Sequence, residues 1–179
     1  TYDVIFTSNT TEAINLVAQS FRHESGDGTE PVILNTLLEH SSNDLPWRMV
    51  PGYSLIRLPV NDEGIVDLKE LETLLSEYNQ NGKQGRKRIK LVAVSGASNV
   101  LGICNDLVEI SRIVHQYGAH LLVDAAQLVA HRKIGMELFG SDYLAFSANK
   151  LYAQANTMLN NFIKNNCGCS GNNYINNFQ

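Results

Sequence analysis

The chain has 179 residues, of which 44% are hydrophobic and 18% charged, with a formal net charge of −4. That length and balance describe one globular domain with a sizeable core, and they give no reason to expect a nucleic-acid or anionic-membrane partner. The longest apolar runs are strand-sized, so no segment reads as a membrane span, and no signal peptide is visible.

Asp3–Thr7 (DVIFT) reads as a short strand. Asn9 and Glu12 have the spacing of a capping box, and Ile14, Val17, Ala18 and Phe21 follow at helical spacing. Pro31–Asn35 is a second strand. A polar turn with Glu39, His40 and Asn43 then leads to a short helix carrying Trp47 and Val50. Ser54–Val60 is a third strand, and Asp67 caps a helix with Leu68, Leu71, Leu75 and Tyr78 on one side. Residues 79–90 carry five Lys/Arg and read as a solvated surface loop or insertion. Ile89–Val94 is apolar and β-branched, as a buried parallel strand should be. Asp106 and Glu109 repeat the capping spacing ahead of Leu107, Ile110, Val114 and Tyr117, with Gly118 placed as the stop. His120–Ala125 and Asp142–Ser147 are the last strands.

Strands alternating with amphipathic helices predict an α/β fold, with a mainly parallel sheet covered by helices on both faces. Ligands of such sheets bind outside the carboxyl ends of the strands. The polar clusters fall there: Thr10 and Thr11, His40, Ser98 and Asn99, Asp124 to Gln127, and Ser147 to Lys150. Residues 155–179 include nine asparagines and lose hydrophobic periodicity, so residues 154–179 are expected to be an irregular or disordered tail. Three cysteines, Cys104, Cys167 and Cys169, argue against a disulfide framework and fit a reducing compartment, which favours a soluble, cytoplasmic location. Cys167-Gly-Cys169 falls short of the four ligands of a structural zinc site, and no metal is expected. The opening on Thr1 points to a fragment or a processed chain.

Thr10 and Thr11 open a helix, where free N–H groups and the helix dipole suit a phosphate; plain capping is the alternative. His40 could stack on an aromatic cofactor and move a proton, or simply be solvated. Asn99 could donate to a ring oxygen, or sit in a turn. Asp124 follows Leu121, Leu122 and Val123, where an unpaired acid is costly. Gln127 could hydrogen-bond a phenolate-type oxygen. Lys150 follows an apolar strand, and burial beside a cation would make its amine a better nucleophile. An acid and a lysine at neighbouring strand ends are what pyridoxal phosphate (PLP) chemistry needs.

TTEAIN, EHSSNDLPWR, SNVLG, VDAAQ and FSANKLYA, in that order, resemble the class V aminotransferases, which include the cysteine desulfurases. The resemblance spans roughly residues 3–153. It implies the large, PLP-binding domain of a PLP-dependent transferase, truncated here at residues 1–153, acting on an amino acid and dimeric in intact relatives. It implies Lys150 as the Schiff-base lysine and general base, and Asp124 as partner of the pyridine nitrogen. It implies His40 stacked on the ring, and Asn99 and Gln127 at the ring substituents. Thr10, Thr11 and Ser147 would hold the phosphate. Asn149 stands where the family usually has histidine, Asn9 where glycine is common, and Ser41 where a second histidine is frequent. None of the three cysteines matches the sulfur-accepting cysteine of desulfurases. A catalytically inactive remnant, binding PLP weakly or not at all, remains the alternative. A generic nucleotide-binding module is disfavoured because neither G-x-G-x-x-G nor a P-loop is present.

Overall fold

The computed structural model describes residues 2–21, 28–97, 104–130 and 134–148. Five parallel strands form one sheet: β1 (Glu30–Thr36), β2 (Ser54–Leu58), β3 (Lys87–Ser95), β4 (His120–Asp124) and β5 (Tyr143–Ala145). Their spatial order is β2-β1-β3-β4-β5. The helices are α1 (Thr10–Ser20), α2 (Leu45–Arg48), α3 (Leu68–Leu75), α4 (Leu107–Gln116) and α5 (Met136–Phe139). This is the expected α/β architecture.

Strand side chains alternate between two apolar layers. Val32, Leu34, Val92, Val94, Leu121 and Val123 pack on one face with Leu71, Leu75, Ile110 and Val114 of α3 and α4. Ile33, Leu91, Ala93 and Leu122 pack on the other with Ile14 and Ala18 of α1, Phe21, and Trp47 of α2. Burial on both faces explains why Leu91–Val94 and Leu121–Val123 are apolar without interruption. A one-residue slip would exchange the layers, so the core fixes the register. Truncating a fully buried member such as Leu34 to Ala would cost ~2–5 kcal/mol.

The N-cap half of each box forms as its spacing predicts, while the carboxylate of Glu12 reaches the N–H one residue before the cap. Asn9 accepts from Glu12 N at 2.9 Å, and Glu12 accepts from Ser8 N at 2.6 Å. Asn9 has extended backbone (φ −168°, ψ 173°), so the position makes no demand that only glycine could meet. Asp67 accepts from Lys69 N and Glu70 N, and Asp106 accepts from Glu109 N. Gly118, at φ +70°, follows α4 in the left-handed conformation that stops it.

Three expectations need correction. Residues 2–7 have no regular structure, and Val4, Ile5 and Phe6 are exposed. No described strand pairs with Asp3–Thr7, and strand-forming composition without a neighbour makes no ladder. The basic loop is shorter than expected, because β3 begins at Lys87, in register with Glu30. Asn79 belongs to a π-helical continuation of α3 over Ser76–Gln80, and its amide bonds Ile89 N, Ile89 O and Tyr117 O. The last strand covers only Tyr143–Ala145, so Ser147 lies beyond it. The expected boundary after residue 153 and the asparagine-rich tail lie outside the described residues.

Candidate functional site

The chain leaves β1 toward β2 on one side and returns to β3 and β4 on the other. That reversal makes the carboxyl ends of β1 and β3 a topological switch point, where α/β sheets bind ligands. Two apolar strands stop there in polar residues, Thr36 and Ser95. The turn after β1 reaches Ser95 at the end of β3, and the segment after β4 lays Leu128 against Gly96 just beyond it.

His40 caps the short 3₁₀ turn Ser41–Asn43. Its Nδ1 accepts from Ser42 N at 3.2 Å and lies 2.7 Å from Ser42 Oγ. A backbone N–H can only donate, so Nδ1 is the acceptor, and the neutral ring carries its proton on Nε2. The ring itself is exposed.

Asp124 ends β4 and is only 5% exposed. Its Oδ1 accepts from Ala126 N at 3.0 Å, and Oδ2 has no hydrogen-bond partner among the described residues. Burial pushes its carboxyl above the usual carboxylate range, while the Ala126 N–H and, when its ring is protonated, the nearby His40 pull against it. The main chain of Asp124 is fixed to β3, since its carbonyl accepts from Gly96 N at 2.8 Å. A Cβ at Gly96 would come within 2.9 Å of Leu128 Cδ2, so the absence of a side chain lets the turn after Asp124 close over the end of β3.

Thr10 is buried in the first turn of α1, and its hydroxyl has no hydrogen-bond partner among the described residues. Thr11 is exposed and borders a shallow recess with Ser41, Ser42, Leu45, Pro46 and Met49. The fold thus brings the start of α1 to the turn that carries His40. Gln127 and Ser147 are half-buried, in the segments that follow β4 and β5. Asn99, Asn149 and Lys150 lie outside the described residues. The segment containing Asn99 is bracketed by an antiparallel bridge between Ala97 and Cys104. Asn105 ties that base down, donating to Ser95 O at 2.8 Å and accepting from Val66 N at 3.0 Å.

Sequence reading gave no role at the site to Ser95, Asn105 or Arg57, and named Glu39 and Asn43 only as turn residues. Glu39 joins Thr36, Asn43 and Ser95, while Arg57 reaches Asn35 Oδ1 at 2.6 Å and Asp44 Oδ1 at 2.7 Å. The available signal was modest: an acid, an amide and a hydroxyl at the ends of apolar strands.

The Aminotransferase class-V family model matches residues 1–155. The chain belongs to that family. A probable cysteine desulfurase of Halalkalibacterium halodurans is 41% identical over 155 residues, which are 84% of this chain and 35% of that protein. A cysteine desulfurase of Dickeya dadantii is 40% identical over 153 residues, 84% of this chain and 34% of the other. Among solved structures, a cysteine desulfurase from Thermococcus onnurineus NA1 superposes with a TM-score of 0.69 at 35% identity, covering 80% of this chain and 34% of its own. The cysteine desulfurase CsdA from Escherichia coli gives 0.69 at 33% identity, covering 82% and 35%. The chain therefore spans about a third of the length of these class V relatives.

Two features of the site fit PLP on chemical grounds. The cofactor carries a phosphate, which needs donors, and a basic ring nitrogen, which needs an acid. The buried Thr10 hydroxyl and the Oδ2 of Asp124, neither with a hydrogen-bond partner among the described residues, are groups of these two kinds. Among the described residues, no helix is long and apolar enough to cross a membrane.

Proposed function

We propose that residues 1–153 form the cofactor-binding part of a PLP-dependent enzyme of the aminotransferase class V family, acting on an amino acid. The observation that carries this reading is Asp124: a buried carboxyl group whose Oδ2 has no hydrogen-bond partner among the described residues, at a strand end beside His40. The relatives are cysteine desulfurases, so cysteine is the first substrate to test.

When bound, PLP supplies an electron sink at the α-carbon of the amino acid. Asp124 keeps a proton on the ring nitrogen by accepting its hydrogen bond. A cation beside Asp124 offsets the cost of burying its charge and returns the carboxyl toward the ionised form. His40 presents a ring face with the proton on Nε2, and Nδ1 is held by Ser42. Thr10, Thr11 and Ser147 donate hydroxyls to the phosphate, aided by the positive end of α1. Asn99 and Gln127 bond the ring substituents. Lys150 would hold the cofactor through its amine and would serve as the general base for the α-proton. Pairing of two copies, as in intact relatives, belongs to the same reading.

The test is to incubate the protein with PLP, follow visible absorbance, reduce with borohydride and map the adduct by mass spectrometry. The expected result is one adduct, on Lys150, lost in Lys150→Ala. No adduct on Lys150, or the same labelling in Lys150→Ala, overturns the reading. If an adduct forms but neither cysteine nor any other amino acid changes the spectrum, the proposed activity falls while cofactor binding stands.

A further inference from the structure

We propose that Glu39 is a positioning residue for this site: its carboxyl group fastens the turn that carries His40 to the carboxyl end of β3, one strand from Asp124. The proposal rests on the PLP reading for its functional consequence and on hydrogen-bond geometry for its structural part.

Glu39 is half-buried and touches three separate pieces of chain. Oε1 accepts from Thr36 Oγ1 at 2.8 Å and from Ser95 N at 3.2 Å. Oε2 accepts from Asn43 Nδ2 at 2.8 Å and from Ser95 Oγ at 2.6 Å. The donor senses are fixed by the surroundings. Thr36 Oγ1 accepts from Leu38 N, so its own hydrogen is free to point at Glu39. Asn43 Oδ1 accepts from Trp47 Nε1 at 3.0 Å, and indole can only donate, so the amide NH₂ faces Glu39. Each carboxyl oxygen therefore meets one group that can only donate: the Ser95 N–H on one side and the Asn43 amide on the other. A carboxyl group, with an acceptor on each oxygen, satisfies both. Burial holds the carboxyl of Glu39 above the usual range, and the bonds from Ser95, Asn43 and Thr36 offset that only in part.

The strut has a definite reach. Ser95 is in register with Asp124 on the neighbouring strand, and His40 follows Glu39 directly. Further bonds clamp the far side of the turn, with Asn35 Nδ2 donating to Asn43 O at 3.1 Å and Arg57 pairing with Asp44. His40 is thus held between two anchored segments while its ring stays exposed. Buried hydrogen-bond networks orient the groups they support in this way.

Glu39→Gln is the discriminating variant, because either amide orientation sets an NH₂ against an obligate donor. The first readout is the ¹⁵N spectrum of the His40 ring in protein without PLP. Wild type is expected to show an unprotonated Nδ1 and a protonated Nε2, and Glu39→Gln an average over both tautomers. The second readout is PLP affinity, expected to fall roughly tenfold in Glu39→Gln. A merely structural role would lower the melting temperature and leave the tautomer unmoved. A folded Glu39→Gln with wild-type His40 shifts and wild-type PLP affinity overturns the proposal. Should Glu39→Gln fail to fold, Ser95→Ala removes only the hydroxyl bond and keeps the N–H. It is expected to move both readouts in the same direction by a smaller amount, and no movement overturns the proposal. If wild type itself does not bind PLP, the cofactor reading falls, and the His40 tautomer still decides the role of Glu39.

Discussion

Asp124 and Asp142 flank the same sheet and live in opposite circumstances. Asp142 sits at the amino end of the strands. Its Oδ2 accepts from His115 Nε2 at 2.9 Å and Leu121 N at 2.7 Å, and Oδ1 lies 3.5 Å from His120 Nδ1. Burial works to raise its carboxyl, but the bonds from His115 and Leu121 and the charges of His115 and His120 outweigh that and hold it below the usual range. Asp124 sits at the carboxyl end, is more deeply buried, accepts one side-chain hydrogen bond among the described residues and is pushed up. The contrast separates architecture from site. An acid with its partners in the fold needs nothing further, whereas a buried acid with one oxygen unpartnered among the described residues has a destabilising environment that a cationic ligand would relieve.

The comparison is broken or sharpened by exchanging what each acid can do. The largest effect is expected for Asp124→Asn, which loses a charge-assisted bond of ~1.5–3 kcal/mol to the cofactor, roughly ten- to a hundredfold in affinity. Its stability without PLP should stay level or rise, as read by urea unfolding. Asp142→Ala should do the reverse, costing ~1–3 kcal/mol of stability by stranding the Leu121 N–H and leaving PLP affinity unchanged. If both variants lower stability alike and neither alters PLP binding, the distinction between the two acids is wrong.

Thr10→Val should behave as a weaker Asp124→Asn. Removing a buried hydroxyl that has no described partner should leave stability unchanged or raise it by up to about 1 kcal/mol. PLP affinity should fall severalfold, and a clear loss of stability in the absence of PLP would show that the hydroxyl has a structural partner after all. The smallest effect is in the pH dependence. Asp142, with its folded pKa depressed, contributes stability that is present above the unfolded value of about 3.9 and is lost as pH falls through the folded pKa. Asp124, with its folded pKa raised, makes stability decline as pH rises from about 3.9 through the folded pKa, because the native state holds that proton longer. Acid unfolding curves of Asp142→Asn and Asp124→Asn should each lose one of these opposite slopes.

Local chemistry was legible wherever it was settled locally. The Asn9–Glu12 and Asp106–Glu109 caps need only neighbours three residues apart, and the apolar runs at Leu91–Val94 and Leu121–Val123 declare strands buried on both faces. Asp3–Thr7 has the same composition but lacks a partner among the described strands, and pairing is a tertiary fact that no window of residues contains. Lys87 and Arg88 looked like loop because they are charged, yet they lie opposite Glu30 and Pro31 in the ladder. At the site, Asp124 and His40 could be chosen from residue type and position. The Glu39 strut could not, since Ser95 lies 56 residues away in sequence and meets Glu39 only once the sheet forms.

The most direct test uses PLP labelled with ¹⁵N at the pyridine nitrogen, bound to wild type and to Asp124→Asn and followed by NMR. The account predicts a protonated nitrogen at neutral pH in wild type and an unprotonated one in the variant. The same chemical shift in both proteins would contradict the assignment of Asp124, and with it the claim that the carboxyl end of this sheet is built around PLP.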